Sequence, residues 1–350
     1  MELPTNQILV GDAVERLKEL PDQCFHTCIT SPPYWNLRDY GISGQIGLEE
    51  SPEKYVERLV AVFREVHRVL RDDGTVWLNL GDSYCSTAPG TMGDPLRQEG
   101  ILAGVSDNCA QSRRKLRPET PAGLKPKDLV GIPWRVAFAL QEDGWYLRSD
   151  IIWQKANPMP ESVTDRPTKS HEYVFLLSKN DRYFYDSDAI KEKSSGQPGG
   201  GFSRDYAEAQ PAHGAMKLER PADTGFRNKR SVWTIAVEPF SEAHFAVFPQ
   251  ALVGPCLLSG TSEGGACVAC GSPLERVIEE ERATGWKRTC DCKDSSTEPC
   301  VVLDPFMGSG TTALVALKAG RNFIGIELNP EYIKIAEQRI AQEMAQMKLF

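Results

Sequence analysis

The chain has 350 residues, of which 41% are hydrophobic and 25% charged, an ordinary composition for a globular α/β core with an insertion, or for two domains. No run approaches the ~20 apolar residues of a membrane span, and residues 1–12 lack the basic flank and apolar core of a secretory signal, so we expect a cytoplasmic protein without membrane contact. The net charge of −8 argues mildly against a nucleic-acid partner, although a local basic surface could outweigh it, because charges act over a Debye length of roughly 10 Å.

Strand and helix patterns alternate over the first 80 residues. Strands are predicted at Gln7–Val10, in the apolar run that ends at Ile29, and at 75–80. Helical spacing follows Gly11-Asp12, and a second helix begins at Ser51-Pro52, with serine as the N-cap and proline in the first turn. This β-α-β-α-β order is typical of a parallel sheet.

A Pro-Pro motif (residues 30–34, Thr-Ser-Pro-Pro-Tyr) directly follows the second predicted strand. Its prolines make the chain rigid and turn it out of the sheet, at the strand ends where open α/β sheets bind ligands. The carbonyls of Pro32 and Pro33 and the hydroxyl of Ser31 accept hydrogen bonds, and Tyr34 offers a ring for stacking. This set suits the exocyclic amine of a nucleobase, although most Pro-Pro pairs are simple loop residues.

Residues 83–127 break the alternation and are rich in Gly, Pro, Ser and Thr, so we predict a long, partly mobile loop. Its second half has many basic residues and one acid, Glu119; the basic residues are Arg113, Arg114, Lys115, Arg117, Lys125 and Lys127. This stretch is either a solvated loop or an arm that contacts phosphates.

The next part of the chain combines regular elements with a polar outlier. A helix is predicted over 128–143, with strands at 145–153 and 172–177, and residues 155–160 should reach the same crevice from another strand end. Residues 179–232 are polar and follow neither a helical nor a strand period. They form either a plain surface insertion or, as we predict, a target-recognition segment whose Arg, Lys and Asn reach base edges.

Ten cysteines without an export signal indicate reduced thiols or a metal site. Cys267 and Cys270 form one close pair, and Cys290 and Cys292 form another about 20 residues later, which fits a tetrahedral zinc site. Four thiolate ligands leave no position for water, so we predict structural Zn²⁺. Free cysteines are the alternative, and Cys256 or Cys300 could replace one of the four.

A glycine turn (residues 304–312) follows the predicted strand Val301–Asp304 and leads into a helix. Glycine lets the backbone approach a ligand, and a helix N-terminus offers free N–H groups. The next strand, 322–326, ends at Glu327, where an acidic residue usually binds ribose hydroxyls. No lysine follows the second glycine, so the turn is not a P-loop, and the ligand is predicted to be a nucleoside without a pyrophosphate.

The Pro-Pro motif, the glycine turn and Glu327 together make the sequence resemble the β-group of amino DNA methyltransferases, the N4-cytosine/N6-adenine family. The resemblance runs from Gly11 to about Gln338 and leaves out the recognition segment and the cysteine pairs. It implies an α/β fold with a circularly permuted Rossmann-like methyltransferase sheet, S-adenosylmethionine as cofactor, double-stranded DNA as partner, and a restriction-modification setting.

The resemblance also implies which residues bind the cofactor and which take part in catalysis. Asp12 should lie near the cofactor adenine and Glu327 at its ribose, and the glycine turn should line the methionine part through Phe306, Gly308, Gly310 and Thr311. Asp304 and Thr312 of the same turn should also bind the cofactor. Phe245, Phe248 and Pro249 resemble the remaining cofactor motif and should close the methionine end. The catalytic residues would be Ser31, Pro32, Pro33 and Tyr34.

These assignments predict five segments of the chain. They are a catalytic half over 1–178 with the mobile loop 83–127, the recognition insertion 179–232, a cofactor-site segment 233–258, a Cys₄ zinc module 259–299, and an S-adenosylmethionine-binding half 300–350.

The expected reaction transfers a methyl group to the exocyclic amine of a base flipped out of DNA against Tyr34 and Trp35. Ser31 Oγ and the Pro32 carbonyl would accept hydrogen bonds from the two amine N–H groups. In the family that the sequence resembles, serine at the first motif position is commoner in N4-cytosine enzymes, so the resemblance favours N4 of cytosine, and N6 of adenine is the alternative. RNA methylation and a non-catalytic nucleic-acid-binding protein of the same fold are rival hypotheses. The sequence leaves open the recognised DNA site, a restriction partner and a homodimeric state.

Overall fold

A computed structural model describes residues 4–85, 120–194, 225–238, 248–279 and 282–347 of a mixed α/β fold. The helices are α1 (Ala13–Lys18), α2 (Pro52–Val69), α3 (Ile132–Glu142), α4 (Gln250–Gly260), α5 (Thr311–Lys318) and α6 (Pro330–Met347). The strands are β1 (Gln7–Val10), β2 (Phe25–Thr30), β3 (Leu70–Leu80), β4 (Tyr146–Lys155), β5 (His171–Ser178), β6 (Glu192–Lys193), β7 (Phe226–Arg227), β8 (Val232–Ile235), β9 (Ala266–Cys267), β10 (Glu275–Glu279), β11 (Arg282–Lys287), β12 (Thr297–Glu298), β13 (Val301–Asp304) and β14 (Asn322–Glu327).

Eight of these strands form the central sheet, in the order β1-β14-β13-β2-β3-β5-β4-β8. Its described strands run in one direction except β5, which is antiparallel to both β3 and β4. The predicted parallel sheet is therefore confirmed apart from this one strand. Strands β13 and β14, from the end of the chain, lie between β1 and β2, so the sheet brings both ends of the chain together.

Helices cover both faces of the sheet, which explains why β2 and β13 are buried at every position. One apolar cluster joins the sheet to α1, α2 and α3, and a second joins its other face to α4 and α5. The strand ends therefore form an edge between two helical layers, where a parallel sheet usually binds its ligand.

Helix α2 begins as predicted, because the Ser51 side chain accepts from the Lys54 N–H and Pro52 occupies the first turn. It ends earlier than the Asp72-Asp73-Gly74 stop that the sequence indicates. Leu70 already belongs to β3 and pairs with Phe25 of β2, so strand pairing replaces the last predicted helical turn.

Several predicted segments lie partly outside the described residues, including Arg113, Arg114, Lys115 and Arg117 of the basic loop, residues 195–224 of the recognition segment, and Phe245. Where these segments are described, three of their basic side chains contact acids as follows. Lys127 contacts Asp165 at 2.6 Å, and Arg227 and Arg230 both contact Glu192. Across the described ranges, no helix combines the length and apolarity needed to cross a membrane.

Candidate active site and cysteine cluster

The Pro-Pro motif and the glycine turn meet because β2 and β13 are neighbours in the sheet. Thr30 Oγ1, at the end of β2, donates to Asp304 Oδ1 at 2.7 Å across 274 positions of sequence. Thr312 Oγ1 donates to the other carboxylate oxygen at 2.7 Å. Asp304 is fully buried, and burial raises its pKa to about 6 although both hydroxyl groups favour the ionised form. This buried carboxylate ties the two motifs together.

A cavity of about 200 Å³ lies over this junction and is lined by residues from both halves of the chain. Pro33 and Gly308 both line it, as the convergence of the two motifs requires. The predicted site residues in its wall are Asp12, Ser31, Pro32, Pro33, Tyr34, Phe248, Phe306, Gly308, Thr311 and Glu327.

Four other predicted cofactor residues, Asp304, Thr312, Gly310 and Pro249, lie behind the cavity wall. Asp304 and Thr312 are buried and bonded to each other. Gly310 has φ +82°, and an added Cβ would lie 3.0 Å from the Cβ of Ala336 on α6. Pro249 caps the start of α4. All four were predicted to bind the cofactor, and none of them is among the residues that line the cavity.

Glu327, at the end of β14, is held by the backbone of the glycine turn. Its Oε2 accepts from the Gly308 N–H at 2.8 Å and its Oε1 from the Asn329 N–H at 2.7 Å. Burial raises its pKa above the ordinary value for a glutamate. Because the two carboxylate oxygens together offer about four lone-pair sites, Glu327 can still accept from a ligand hydroxyl in the cavity.

Asp12 also lines the cavity, and it caps helix α1. Its Oδ1 accepts from the N–H groups of Val14 and Glu15, at 2.9 and 3.2 Å. A Gly-Asp pair after a strand is consistent with either a helix N-cap or a ligand contact. In this structure, one carboxylate oxygen of Asp12 caps helix α1.

A hydrogen-bonded network beside Ser31 was missed by sequence reasoning. Ser31 Oγ lies 3.3 Å from Asn79 Oδ1 and 3.4 Å from the Tyr34 hydroxyl. The Tyr34 hydroxyl donates to Glu172 Oε2 at 2.6 Å, and Lys155 Nζ donates to Glu172 Oε1 at 2.5 Å. Lys155 was expected near the crevice, but nothing in the sequence indicated Asn79 or Glu172, because the reversed direction of β5 places Glu172 beside the ends of β3 and β4.

Pro33 and Trp35, which follow Ser31 in the chain, are each held by a hydrogen bond to another part of the protein. The Tyr55 hydroxyl donates to the Pro33 carbonyl at 2.8 Å, so this carbonyl is already engaged. Trp35 is buried in the core and its Nε1 donates to the Glu49 carbonyl at 3.0 Å. The expectation that Trp35 stacks on a flipped base is therefore wrong, because its ring packs away from the cavity.

The four predicted cysteines form a compact cluster beside the first residues of β2 and β3. The sulfur atoms of Cys267, Cys270, Cys290 and Cys292 all lie within 4.8 Å of one another. Tetrahedral zinc with Zn–S bonds near 2.3 Å needs sulfurs roughly 3.8 Å apart, so the cluster has the right size. Cys256 and Cys300 are buried elsewhere, bonded to the carbonyls of Leu252 and Ser262, and do not join it.

Two side chains connect the cysteine cluster to the central sheet. His26 of β2 contacts the Gly271 carbonyl through Nε2 at 2.9 Å, and its Nδ1 accepts from the Val301 N–H at 3.0 Å. Burial lowers the pKa of His26 to about 4, so the ring is neutral and Nε2 carries the proton. Arg71 donates to the Cys270 carbonyl at 2.8 Å. The backbone at Cys270 and Gly271 is thus fastened to β2 and β3, which also carry site residues.

This sheet, with a glycine turn and a carboxylate that line one cavity together with the Pro-Pro motif, has the arrangement expected of a DNA methylase. A family model described as DNA methylase, covering the N6 and N4 enzymes, matches residues 25–268 and 292–338. The chain belongs to this family and is a DNA amino-methyltransferase, as the sequence resemblance predicted. The unmatched residues 269–291 include Cys270 and Cys290, so the cysteine cluster extends beyond the family pattern.

Similar proteins extend over nearly the whole chain. The Type II methyltransferase M.Cfr9I of Citrobacter freundii is 43% identical over 344 residues, 98% of this chain and 90% of that protein. M.SmaI of Serratia marcescens, also a Type II methyltransferase, is 43% identical over 95% of this chain and 90% of that protein. Among solved structures, the cytosine-N4-specific PvuII DNA methyltransferase superposes with a TM-score of 0.55 at 16% identity, covering 97% of this chain and 91% of that one. A Thermus thermophilus protein crystallised with S-adenosyl-L-methionine gives 0.50 at 21% identity, covering 95% and 94%. These two structures support the fold.

Proposed function

We propose that this protein is a Type II, site-specific methyltransferase that transfers a methyl group from S-adenosylmethionine to N4 of cytosine in double-stranded DNA. The observation that carries the proposal is that Ser31 and the glycine turn line one cavity. The Type II names of relatives that match 95–98% of the chain at 43% identity support a restriction-modification role. Serine at the first variable position of the motif favours cytosine, and N6 of adenine remains the alternative product.

The cavity fits S-adenosylmethionine through polar groups for its ribose and apolar groups for its base. Glu327 would accept from the ribose hydroxyls with the lone pairs that Gly308 and Asn329 leave free. Phe306, Phe248 and Tyr332 line the same cavity and offer apolar and aromatic surface. When bound, the cofactor supplies a methyl group that its sulfonium already activates. We further propose that the segment order along this chain is a circular permutation of the Rossmann-like sheet; the placement of β13 and β14 between β1 and β2 supports this.

The residues of the Pro-Pro motif hold the target amine and localise its lone pair. The amine nitrogen of cytosine is a poor nucleophile because its lone pair is delocalised into the ring. Ser31 Oγ would accept a hydrogen bond from one N–H, and the Pro32 carbonyl, which accepts no bond from the described residues, would take the other. The Tyr55 bond to the Pro33 carbonyl keeps this loop rigid, so that the amine is held in line. The target base must leave the duplex to reach these groups.

Identifying the methylated nucleoside is the decisive measurement. The protein would be incubated with S-adenosylmethionine and duplex DNA, single-stranded DNA or RNA, and each product digested and analysed by mass. We expect N4-methylcytosine from duplex DNA. N6-methyladenine would show that adenine is the target base, and methylated RNA would show that RNA is the substrate. If no substrate is methylated, the hypothesis of a non-catalytic nucleic-acid-binding protein would stand.

Ser31→Ala tests the amine clamp. We expect turnover to fall by ~100-fold or more, since a group that binds reacting protons contributes about this much, while cofactor affinity stays unchanged. Ser231→Ala is the control, because Ser231 is exposed and does not line the cavity. Unchanged activity in Ser31→Ala would show that Ser31 does not hold the amine.

We also propose that Cys267, Cys270, Cys290 and Cys292 hold one structural Zn²⁺. The compact sulfur cluster supports this, and so does Gly271, whose φ of +70° forms a tight turn after the first pair. Arg288 donates to the sulfurs of Cys267 and Cys290 at 3.1 and 3.6 Å, which would stabilise thiolates. Elemental analysis should give one zinc per chain, and Cys270→Ser with Cys292→Ser should abolish it, whereas Cys256→Ser should not.

A further inference from the structure

The network around Ser31 ends at Glu172, a residue with no place in the amine clamp. Glu172 lines the cavity, and its side chain is 12% exposed. Three side chains contact its carboxylate: the Tyr34 hydroxyl at 2.6 Å, Asn79 Nδ2 at 3.2 Å, and Lys155 Nζ at 2.5 Å. Such a buried carboxylate facing a reaction cavity requires a charge partner, and Lys155 supplies it.

The hydrogen bonds determine which groups donate and which accept. An ionised carboxylate only accepts, so the Tyr34 hydroxyl must donate its one proton to Glu172. Asn79 Nδ2 donates both protons, to Glu172 and to the Tyr173 carbonyl, so Asn79 Oδ1 is left as an acceptor beside Ser31. The Ser31 proton therefore points to Asn79 Oδ1 or to the Tyr34 oxygen, and the lone pairs of Ser31 Oγ remain for the substrate amine.

We propose that Ser31, Tyr34 and Glu172 form a proton relay that carries the proton of the target amine to Glu172. This inference rests on the proposed function, since it needs a base amine at Ser31. Lys155 is its positioning residue: it holds Glu172 at 2.5 Å, and its ammonium lies 5.1 Å from the centre of the Trp153 ring.

The relay balances as a sequence of proton transfers. Once the new N–C bond forms, the amine nitrogen is positively charged and one of its N–H bonds breaks as the proton passes to Ser31 Oγ. The Ser31 proton passes to the Tyr34 oxygen, and the Tyr34 proton passes to Glu172 Oε2. The amine becomes neutral, serine and tyrosine are regenerated, and Glu172 becomes a carboxylic acid that returns its proton to water. The Ser31–Tyr34 distance of 3.4 Å must shorten in the complex, as catalytic hydrogen bonds commonly do.

Tyr34→Phe isolates the relay, because it removes the hydroxyl and keeps the ring that faces the cavity. In single-turnover methylation of duplex DNA, we expect the rate to fall by ~100-fold with the dissociation constants for DNA and cofactor within about two-fold of wild type. Wild type should react more slowly in D₂O, with more than one exchangeable proton contributing, and Tyr34→Phe should lose this dependence. Tyr173→Phe is the matched control, because Tyr173 meets Asn79 through its backbone carbonyl.

Glu172→Ala provides an independent test through chemical rescue. Formate should restore part of its rate, and chloride at the same ionic strength should not, because only a carboxylate can take the relayed proton. A Tyr34→Phe rate near wild type, or a loss of DNA affinity with unchanged rate, would overturn the relay and leave these residues a purely structural role. Absence of DNA methylation by wild type would instead overturn the proposed function itself.

Discussion

Gly81 follows β3 and lies under the Tyr34 ring, where the structure leaves no space for a side chain. A Cβ at this position would lie 2.4 Å from Cε2, 2.8 Å from Cδ2 and 3.2 Å from Cζ of Tyr34. Its φ is not in the left-handed region, so the substitution Gly81→Ala perturbs the site through this contact alone. The mutation therefore tests whether the position of Tyr34 matters to the reaction.

The size of the effect follows from these distances. Ordinary carbon contacts begin near 3.4 Å, so the ring must move by about 1 Å, a displacement that can cost ~100-fold in rate at an active site. The same shift would stretch the 2.6 Å bond between Tyr34 and Glu172 beyond hydrogen-bonding range. Crowding of this kind destabilises a fold by about 1–3 kcal/mol.

The assay is single-turnover methylation together with thermal unfolding. We expect Gly81→Ala to lose ~100-fold in rate, and to add little when combined with Tyr34→Phe, because both mutations act through one hydroxyl. Gly254→Ala in α4 is the control, since no atom beyond its own chain neighbours and helix backbone lies within 4 Å of an added Cβ, and it should leave the rate unchanged. A Gly81→Ala enzyme with wild-type rate and stability would refute the argument.

Three further predictions concern the wall of the cavity and the cysteine cluster. Burial holds the pKa of Asp304 at about 6, above its ordinary 3.8, so the folded state binds more protons and the free energy of unfolding falls as pH rises from about 4 to 6. Asp304→Asn should remove up to ~3 kcal/mol of this pH-dependent loss of stability. Urea unfolding of both proteins at about pH 4 and about pH 6 measures it, and the same loss of stability in the mutant would contradict the prediction. Gly310→Ala should lower the stability of the fold by about 1–2 kcal/mol, because φ at this position is +82°. It should also weaken cofactor binding measured by calorimetry, and an unchanged affinity would show that the glycine turn does not bind the cofactor. If the four cysteines hold Zn²⁺ as proposed, a chelator should lower the melting temperature, because His26 and Arg71 fasten Cys270 and Gly271 to the sheet. An unaltered transition would show that the cluster does not brace the fold.

Local sequence rules predicted the elements that carry the site. The cap formed by Ser51 and Pro52 depends on a few neighbouring residues, and so does the stiff turn of Pro32 and Pro33 after an apolar strand. The two cysteine pairs are likewise a short-range pattern, and the structure brings all four sulfurs together. The family motifs added the expectation that distant segments share one cavity, and Pro33 and Gly308 do line the same one.

The tertiary structure alone decided which other side chains face that cavity. The direction of β5 is not readable from its apolar run, yet its reversal places Glu172 against Tyr34. Trp35 and Asp304 belong to motifs that predicted ligand contacts, and packing buries both. Capping, turn stiffness and periodicity are properties of a few consecutive residues and can be inferred from them. The Thr30–Asp304 bond spans 274 positions, and it depends on how the whole sheet buries its strands, which no local pattern contains.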